Sequence, residues 1–302
     1  MTNDVVIDGR SLEISNPHKV YFPGIGLTKG DLIAYYRRAA EVMLPHLRQR
    51  PLSLQRFPDG IEKGGFYQKE APDYFPDWIE QVMVQVDTDK VVQPQVVCND
   101  AATLVYLVNQ GCMTPHAWLS RASDLLHPDR LIFDLDPPGD DFRLVRAAAR
   151  ALRTVLVDLG LTPFVMTTGS RGLHVTVPLD GSADFDTVRD FARQVAASLA
   201  DQQPDKFTTE VRKEKRHGRL FLDYLRNAYA QTAVPPYAVR PLPGAPVATP
   251  LRWRELDRSD LHSQRYTVNN IFQRLGQMDD PWQKIERAAC PLPALSAEVI
   301  NQ

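Results

Sequence analysis

The alternation of apolar and polar positions is clearest between residues 131 and 224, where it defines six segments in a row. Residues 131–136 (LIFDLD) set Leu131, Phe133 and Leu135 against Asp134 and Asp136, the period of a strand with one buried face. Residues 141–159 carry Phe142, Val145, Ala149, Leu152, Leu156 and Leu159 on one helical stripe, and Gly160 ends that helix. Residues 163–168 (PFVMTT) and 173–178 (LHVTVP) predict two strands, joined by a turn from Gly169 to Gly172. Val188, Phe191, Val195 and Leu199 mark a second helix, and residues 219–224 (RLFLDY) a last strand. The order β-α-β-β-α-β is the split βαβ, or ferredoxin-like, unit that RNA-recognition modules also use.

Two helices cover one face of such a sheet and leave the other open. Leu131, Phe133 and Leu135, Leu173, Val175 and Val177, and Leu220 and Leu222 can all face the helices. The alternate positions then bring Asp134, Asp136, His174, Thr176, Arg219, Phe221 and Asp223 to the other face. The first, third and fourth strands are neighbours in this topology, so Asp134, Asp136, His174 and Asp223 are expected to converge.

The flanking regions are less regular. Thr28 is an N-cap with Asp31 three residues on, followed by Leu32, Tyr36, Met43 and Leu47 at helical spacing. Pro45 is expected to end or kink that helix. Residues 81–86 and 91–97 predict strands, the second interrupted by Pro94, and Asp100 caps a helix reaching Gln110. The segment from Val234 to Pro250 is rich in proline. The expected organisation is a single catalytic domain over 1–302. It comprises an α/β module over about 1–125, the ferredoxin-like module over about 126–230, and a wrapping segment over about 231–302.

Composition narrows the function. The 302 residues are 43% apolar, enough for a sizeable core, and 35 Lys and Arg nearly balance 37 Asp and Glu for a net charge of -2. Nucleic-acid binding therefore has to rest on local basic surface. Cys98, Cys112 and Cys290 match no zinc spacing and are expected to be reduced thiols. With no signal peptide and no apolar run of about 20 residues, a cytoplasmic protein without a membrane partner is expected.

Asp134 and Asp136 in isolation can be a solvated strand end and a turn. Asp223 on an adjacent strand changes that. Ionised carboxylates 4 Å apart repel by about 4 kcal/mol at intermediate dielectric, and a divalent cation removes the cost. Oxygen-only ligands favour Mg²⁺ or Mn²⁺, and two such ions suit nucleotidyl transfer. In TTGSRGLHV (167–175), Gly169 and Gly172 let backbone amides approach an anion, Ser170 and Arg171 add a hydroxyl and a fixed charge, and His174 shares the aspartates' face. A plain hairpin turn explains the same spacing. RKEKRHGR (212–219) is the densest basic run, and Arg226, Arg240, Arg252 and Arg254 continue it. GIGLTKG fits neither a Rossmann fingerprint nor a P-loop, although Lys19 and Lys29 can still bind phosphate. Phe66 and Tyr67, if exposed, offer a stacking platform for bases.

DLDP (134–137), SRGLH (170–174) and LFLD (220–223) resemble the three motifs of the archaeo-eukaryotic primase superfamily. NPHKVYFP, TKGDLIAYY, GGFYQK, TTGSRGLHV and PPYAVRP more narrowly resemble the polymerase domain of bacterial ligase D, from about Asn16 to Leu256. The resemblance implies an α+β primase-type fold with the N-terminal module packed on the catalytic sheet. It implies a nucleotidyltransferase that fills gaps and extends DNA ends, with a preference for ribonucleotides, in non-homologous end joining. Asp134, Asp136 and Asp223 would hold two Mn²⁺ or Mg²⁺ ions, the first two bridging both ions and Asp223 touching the one nearest the primer 3′-OH. Ser170, Arg171 and His174, helped by Arg240, would hold the incoming NTP or dNTP. Asn16, Lys19 and Lys29 would take the 5′-phosphate of a gapped duplex, and Phe66 and Tyr67 would stack on the template. Double-strand-break ends, Ku and ligase modules are the implied partners, and the location would be nucleoid-associated.

Ligase D usually carries ligase and phosphoesterase domains, and nothing here resembles the ligase KxDG. The chain is either an excised domain or a stand-alone relative, whose role could lie in other repair. A metal-dependent nuclease or phosphodiesterase could use the same carboxylates, but no general base for water stands out beside them. A non-catalytic end-binding module is disfavoured, because three carboxylates on the binding face would repel phosphates.

Overall fold

The structure is a computed structural model that describes residues 3–85 and 91–295. Val86, at the end of one expected strand, lies outside the described residues. The chain divides into two compact units, one formed by residues 1–123, 232–247 and 267–272, the other by 124–231, 248–266 and 273–302. Residues 231–302 thus contribute to both.

In the first unit the helix Lys29–Leu47 starts at the expected capping box: the Asp31 amide donates to Thr28 Oγ1 (3.2 Å) and the Thr28 amide to Asp31 Oδ2 (2.9 Å). Leu32, Tyr36, Met43 and Leu47 are buried along it. Pro45 neither ends nor interrupts the helix, which runs to Leu47. It lies in the last turn, so only one helical donor is lost. Asp100 caps the helix Ala101–Asn109 through the Thr103 amide (2.7 Å). A four-stranded sheet has the order Thr232–Ala233, Cys112–Trp118, Leu52–Arg56, Phe66–Gln68. The strands Gln81–Gln85 and Val92–Val96 form a separate antiparallel pair. Pro94 does not interrupt its strand: it stands opposite Met83, and its carbonyl accepts from the Ala71 amide (2.8 Å).

The second unit contains the expected β-α-β-β-α-β order: β1 (Arg130–Asp136), α1 (Phe142–Asp158), β2 (Phe164–Thr167), β3 (Leu173–Pro178), α2 (Phe185–Gln202) and β4 (Leu220–Asp223). The sheet order β4-β1-β3-β2 is ferredoxin-like. Two short strands not anticipated from the periodicity extend it: Phe207–Thr208 beside β4 and Thr249–Leu251 beside β2. Leu131, Phe133, Leu135, Leu173, Val175, Val177, Leu220 and Leu222 are buried, as are Val145, Ala149, Leu152 and Leu156 of α1 and Val188, Phe191, Val195 and Leu199 of α2, while Phe142 and Leu159 at the ends of α1 are half-buried.

The opposite face is not open along its length, contrary to expectation. Ile132, His174 and Thr176 on it are at most 5% exposed. The carboxylate end is the accessible part, with Asp134 and Asp136 side chains 19% and 27% exposed. β4 pairs with β1 only from Asp134 onward. Asn227, just past β4, takes over where the ladder stops: its Oδ1 accepts from the Ile132 amide (2.8 Å) and its Nδ2 donates to the Ile132 carbonyl (2.7 Å). The backbone groups of β1 are thereby satisfied at a strand end that would otherwise be unpaired. Cys98, Cys112 and Cys290 are free thiols, and no described helix is long and apolar enough to cross a membrane.

Candidate active site

The sheet register assembles the site. Asp134 on β1 pairs with His174 on β3 and with Asp223 on β4, so three chain-distant residues share one row. His174 Nε2 is 3.6 Å from Asp134 Oδ1, and His174 Nδ1 is buried without a hydrogen-bond partner among the described residues. Asp136, two residues along β1, projects on the same side and stands opposite Phe221.

Each carboxylate already has a cation beside it. Arg171 donates to Asp136 Oδ1 (2.8 Å) and Arg216 to Asp136 Oδ2 (2.9 Å). Arg226 Nε lies between the other two, 3.5 Å from Asp134 Oδ2 and 3.8 Å from Asp223 Oδ2. Three aspartates thus face three guanidinium groups. Arg216 is itself fixed: it donates to the carbonyls of Glu210 (3.1 Å) and Val211 (2.9 Å), and it stacks 4.1 Å from the Phe221 ring. Burial, and then the charge on Asp134, raise the Asp223 carboxyl above its ordinary value. In this arrangement no group of three His, Cys, Asp or Glu stands at metal-ligand spacing among the described residues. The donor set nevertheless fits a hard divalent cation. It is all oxygen, on one face, with Asp223 in surroundings that disfavour a bare negative charge.

The loop 168–172 lies beside these residues because Gly172 passes against β1. A Cβ there would sit 1.9 Å from the Leu135 carbonyl oxygen, so no side chain fits. This contact puts Ser170 and Arg171 at the end of the strand that bears Asp136. The basic run 212–219 supplies Arg216, and Arg226 follows β4. Both were visible in the sequence only as general basicity, because nothing in their spacing says which carboxylate each one meets. Arg240 belongs to the first unit, apart in the chain division from Ser170, Arg171 and His174.

The first unit holds the other candidate residues. Lys29 is buried and donates to the Ser15 carbonyl (2.6 Å) and Ser15 Oγ (2.8 Å). Burial, with Lys19 nearby, lowers its pKa to about 8. Lys19 donates to Asp59 Oδ1 (2.5 Å) and the Pro58 carbonyl (2.9 Å), and its own carbonyl accepts from the Lys29 amide (2.8 Å). Asn16 adopts φ 49°, which turns the chain so that its carbonyl accepts from the Lys19 amide (3.0 Å). Asn16, Lys19 and Lys29 therefore stand together. The sequence reading missed Asn109, whose Oδ1 accepts from the Ser15 amide (3.1 Å) and so steadies the acceptor of Lys29. Phe66 and Tyr67 are 49% and 56% exposed, a surface pair rather than core. Tyr67 meets His116 edge-on at 5.4 Å, a neighbour with no sequence signal.

Beside the α+β primase-type sheet and its carboxylate row, the comparisons with known proteins give the class, a nucleotidyltransferase of the DNA/RNA polymerase kind. The chain belongs to the LigD primase-polymerase domain family, whose pattern matches residues 28–282. It is 35% identical over 274 residues to the multifunctional non-homologous end joining protein LigD of Pseudomonas aeruginosa, covering 90% of this chain and 32% of that protein. It is 30% identical over 273 residues to the bifunctional non-homologous end joining protein LigD of Bacillus subtilis, covering 90% of this chain and 43% of that one. The chain thus spans less than half the length of these relatives. The polymerase domain of Mycobacterium tuberculosis ligase D, solved in complex with DNA, superposes with a TM-score of 0.85 at 29% identity, over 92% of this chain and 99% of that one.

Proposed function

We propose that residues 1–302 act as one primase-polymerase domain that fills short gaps and extends DNA ends with ribo- or deoxynucleotides during bacterial non-homologous end joining, alongside Ku and ligase modules at the nucleoid. The observation that carries this is the row His174–Asp134–Asp223 with Asp136 beside it. Asp134, Asp136 and Asp223 would hold two Mn²⁺ or Mg²⁺ ions. Such ions, when bound, lower the pKa of a primer 3′-OH and offset the charge of the departing pyrophosphate. Each Asp136 oxygen accepts one hydrogen bond, from Arg171 or from Arg216, and keeps a second lone pair with which it could ligate. Arg171, beside Ser170 and His174, would turn toward the triphosphate. Arg240 is assigned the same role on family likeness.

Asn16, Lys19 and Lys29 are read as the pocket for the 5′-phosphate across the gap, and the exposed Phe66 and Tyr67 as the template platform. The discriminating experiment is a 5′-phosphorylated gapped duplex with Mn²⁺ and either ribo- or deoxynucleotides. Extension supports the polymerase reading, shortening indicates a nuclease, and binding alone an end-binding module.

Lys29 gives two predictions. Lys29→Ala should cut the advantage of a 5′-phosphorylated gap over an unphosphorylated one by about tenfold, the worth of one strong charge-assisted contact. An unchanged ratio places the pocket elsewhere. The second concerns pH. The folded-state pKa of Lys29 lies below its ordinary 10.5, at about 8. Without DNA, the buried charge costs stability below about pH 8, and that cost disappears as pH rises toward 10.5. Lys29→Met should therefore raise Tm at pH 7, with the gain shrinking above pH 8. In wild type the 5′-phosphate advantage should fall as pH is raised through 8 and beyond. A flat profile from pH 7 to 10 contradicts this.

A further inference from the structure

The loop 168–172 is held from behind by a segment more than ninety residues downstream. Gln264 Nε2 donates to the Ser170 carbonyl oxygen at 2.9 Å. Ser263 Oγ donates to the Gly172 carbonyl oxygen at 2.9 Å and lies 3.2 Å from Thr168 Oγ1. Ser263 and Thr168 are both buried. Thr168 Oγ1 also accepts from the Ser170 and Gly172 amides, each at 3.3 Å. The carbonyls of two loop peptides are thus fixed by side chains of residues 263 and 264, while Thr168 fixes two of the amides.

The consequence follows from peptide geometry. In a trans peptide the C=O and the N–H point in opposite directions, and the described chain has no cis bond. By holding the Ser170 carbonyl, Gln264 turns the Arg171 N–H to the far side of the loop. Neither that N–H nor Ser170 Oγ has an intramolecular partner among the described residues. A donor amide, a hydroxyl and the Arg171 guanidinium are the chemistry of a phosphate cradle. We infer that Gln264 and Ser263 are positioning residues for the incoming nucleotide, holding the 168–172 loop so that the Arg171 amide and the Ser170 hydroxyl are presented to the triphosphate.

This rests on reading that loop as the triphosphate site. Structural need alone explains Gln264 poorly. It is only half-buried, and β2 and β3 are already paired on either side of the loop, with the Thr168 amide donating to the Gly172 carbonyl at 3.1 Å.

The test is steady-state primer extension on a gapped duplex with Mn²⁺, varying the nucleoside triphosphate. Calorimetric titration of the same nucleotide into the protein runs in parallel. Gln264→Met keeps the length of the side chain and removes the donor. It should raise KM and the nucleotide Kd about fivefold, the worth of one neutral hydrogen bond, with kcat within about twofold and Tm nearly unchanged. Ser263→Ala should act in the same direction, and the double variant more strongly. Unchanged KM and Kd in Gln264→Met overturn the inference, as does a fall in kcat at constant KM or an effect that only follows lost Tm. If wild type binds nucleotide but does not extend the primer, the polymerase reading fails, and the nucleotide Kd of Gln264→Met still judges the brace.

Discussion

Asp136→Ala should reduce primer extension by about a thousandfold or more while leaving affinity for gapped DNA within a few fold. The magnitude follows from losing one of the three carboxylates that would hold the metal ions; several kcal/mol of lost transition-state stabilisation is about three powers of ten in rate. The sparing of DNA binding follows from electrostatics. Asp136 neutralises Arg171 and Arg216, and its removal frees two guanidinium groups on that surface. Affinity for a polyanion should hold or rise slightly, more so at low salt. Asp136→Asn separates charge from shape, because it can still accept from an arginine but is a poor cation ligand. Thermal stability should change little in either variant, since the Asp136 side chain is 27% exposed and its ion pairs are screened. Mn²⁺ should raise the Tm of wild type and not that of Asp136→Ala. Extension by Asp136→Ala at the wild-type rate removes the residue from the chemistry.

Gly172→Ala should be the most damaging single methyl in the catalytic sheet. The added Cβ would lie 1.9 Å from the Leu135 carbonyl oxygen and 3.0 Å from its carbon. The obstacle is backbone inside the β1–β3 ladder, where Leu135 pairs with Leu173, so no side chain can swing aside. The strands have to part locally, at a cost of about 3 kcal/mol, the upper end for overpacking. Tm should fall by roughly 5 to 10 °C. The same shift moves Ser170 and Arg171, so nucleotide KM should rise in whatever fraction remains folded. Gly139→Ala is the control, with nothing within 4 Å of its Cβ, and should cost under about 0.5 kcal/mol. Equal Tm for the two variants refutes the close-approach argument.

The catalytic sheet was legible in the sequence because three strands repeat one alternation, and a single topology makes them neighbours. That was enough to bring Asp134, Asp136, His174 and Asp223 to one face, while the row itself depends on the strand register, which alternation leaves open by steps of two. Exposure of the far face was misjudged. The burial of Ile132 and Thr176 depends on tertiary packing, and alternation within a strand says nothing of what lies over it. The two edge strands escaped notice for a different reason: Phe207–Thr208 and Thr249–Leu251 are too short to show a period. Pro45 and Pro94 were read as breaks. Each is tolerated at a position where little pairing is lost, which only the surrounding hydrogen bonds reveal. The partners of the site, Arg216, Arg226, Ser263, Gln264 and Asn109, act through long-range contacts with no local motif.

The matched aspartates and arginines bear on how such a protein is made and handled. Bare carboxylates this close repel one another unless a positive charge stands beside them. Here Arg171, Arg216 and Arg226 act as built-in counterions. With these counterions in place the fold is expected to hold without metal, and a cation would enter among guanidinium groups rather than empty space. Treatment with a chelator should silence it reversibly without unfolding it.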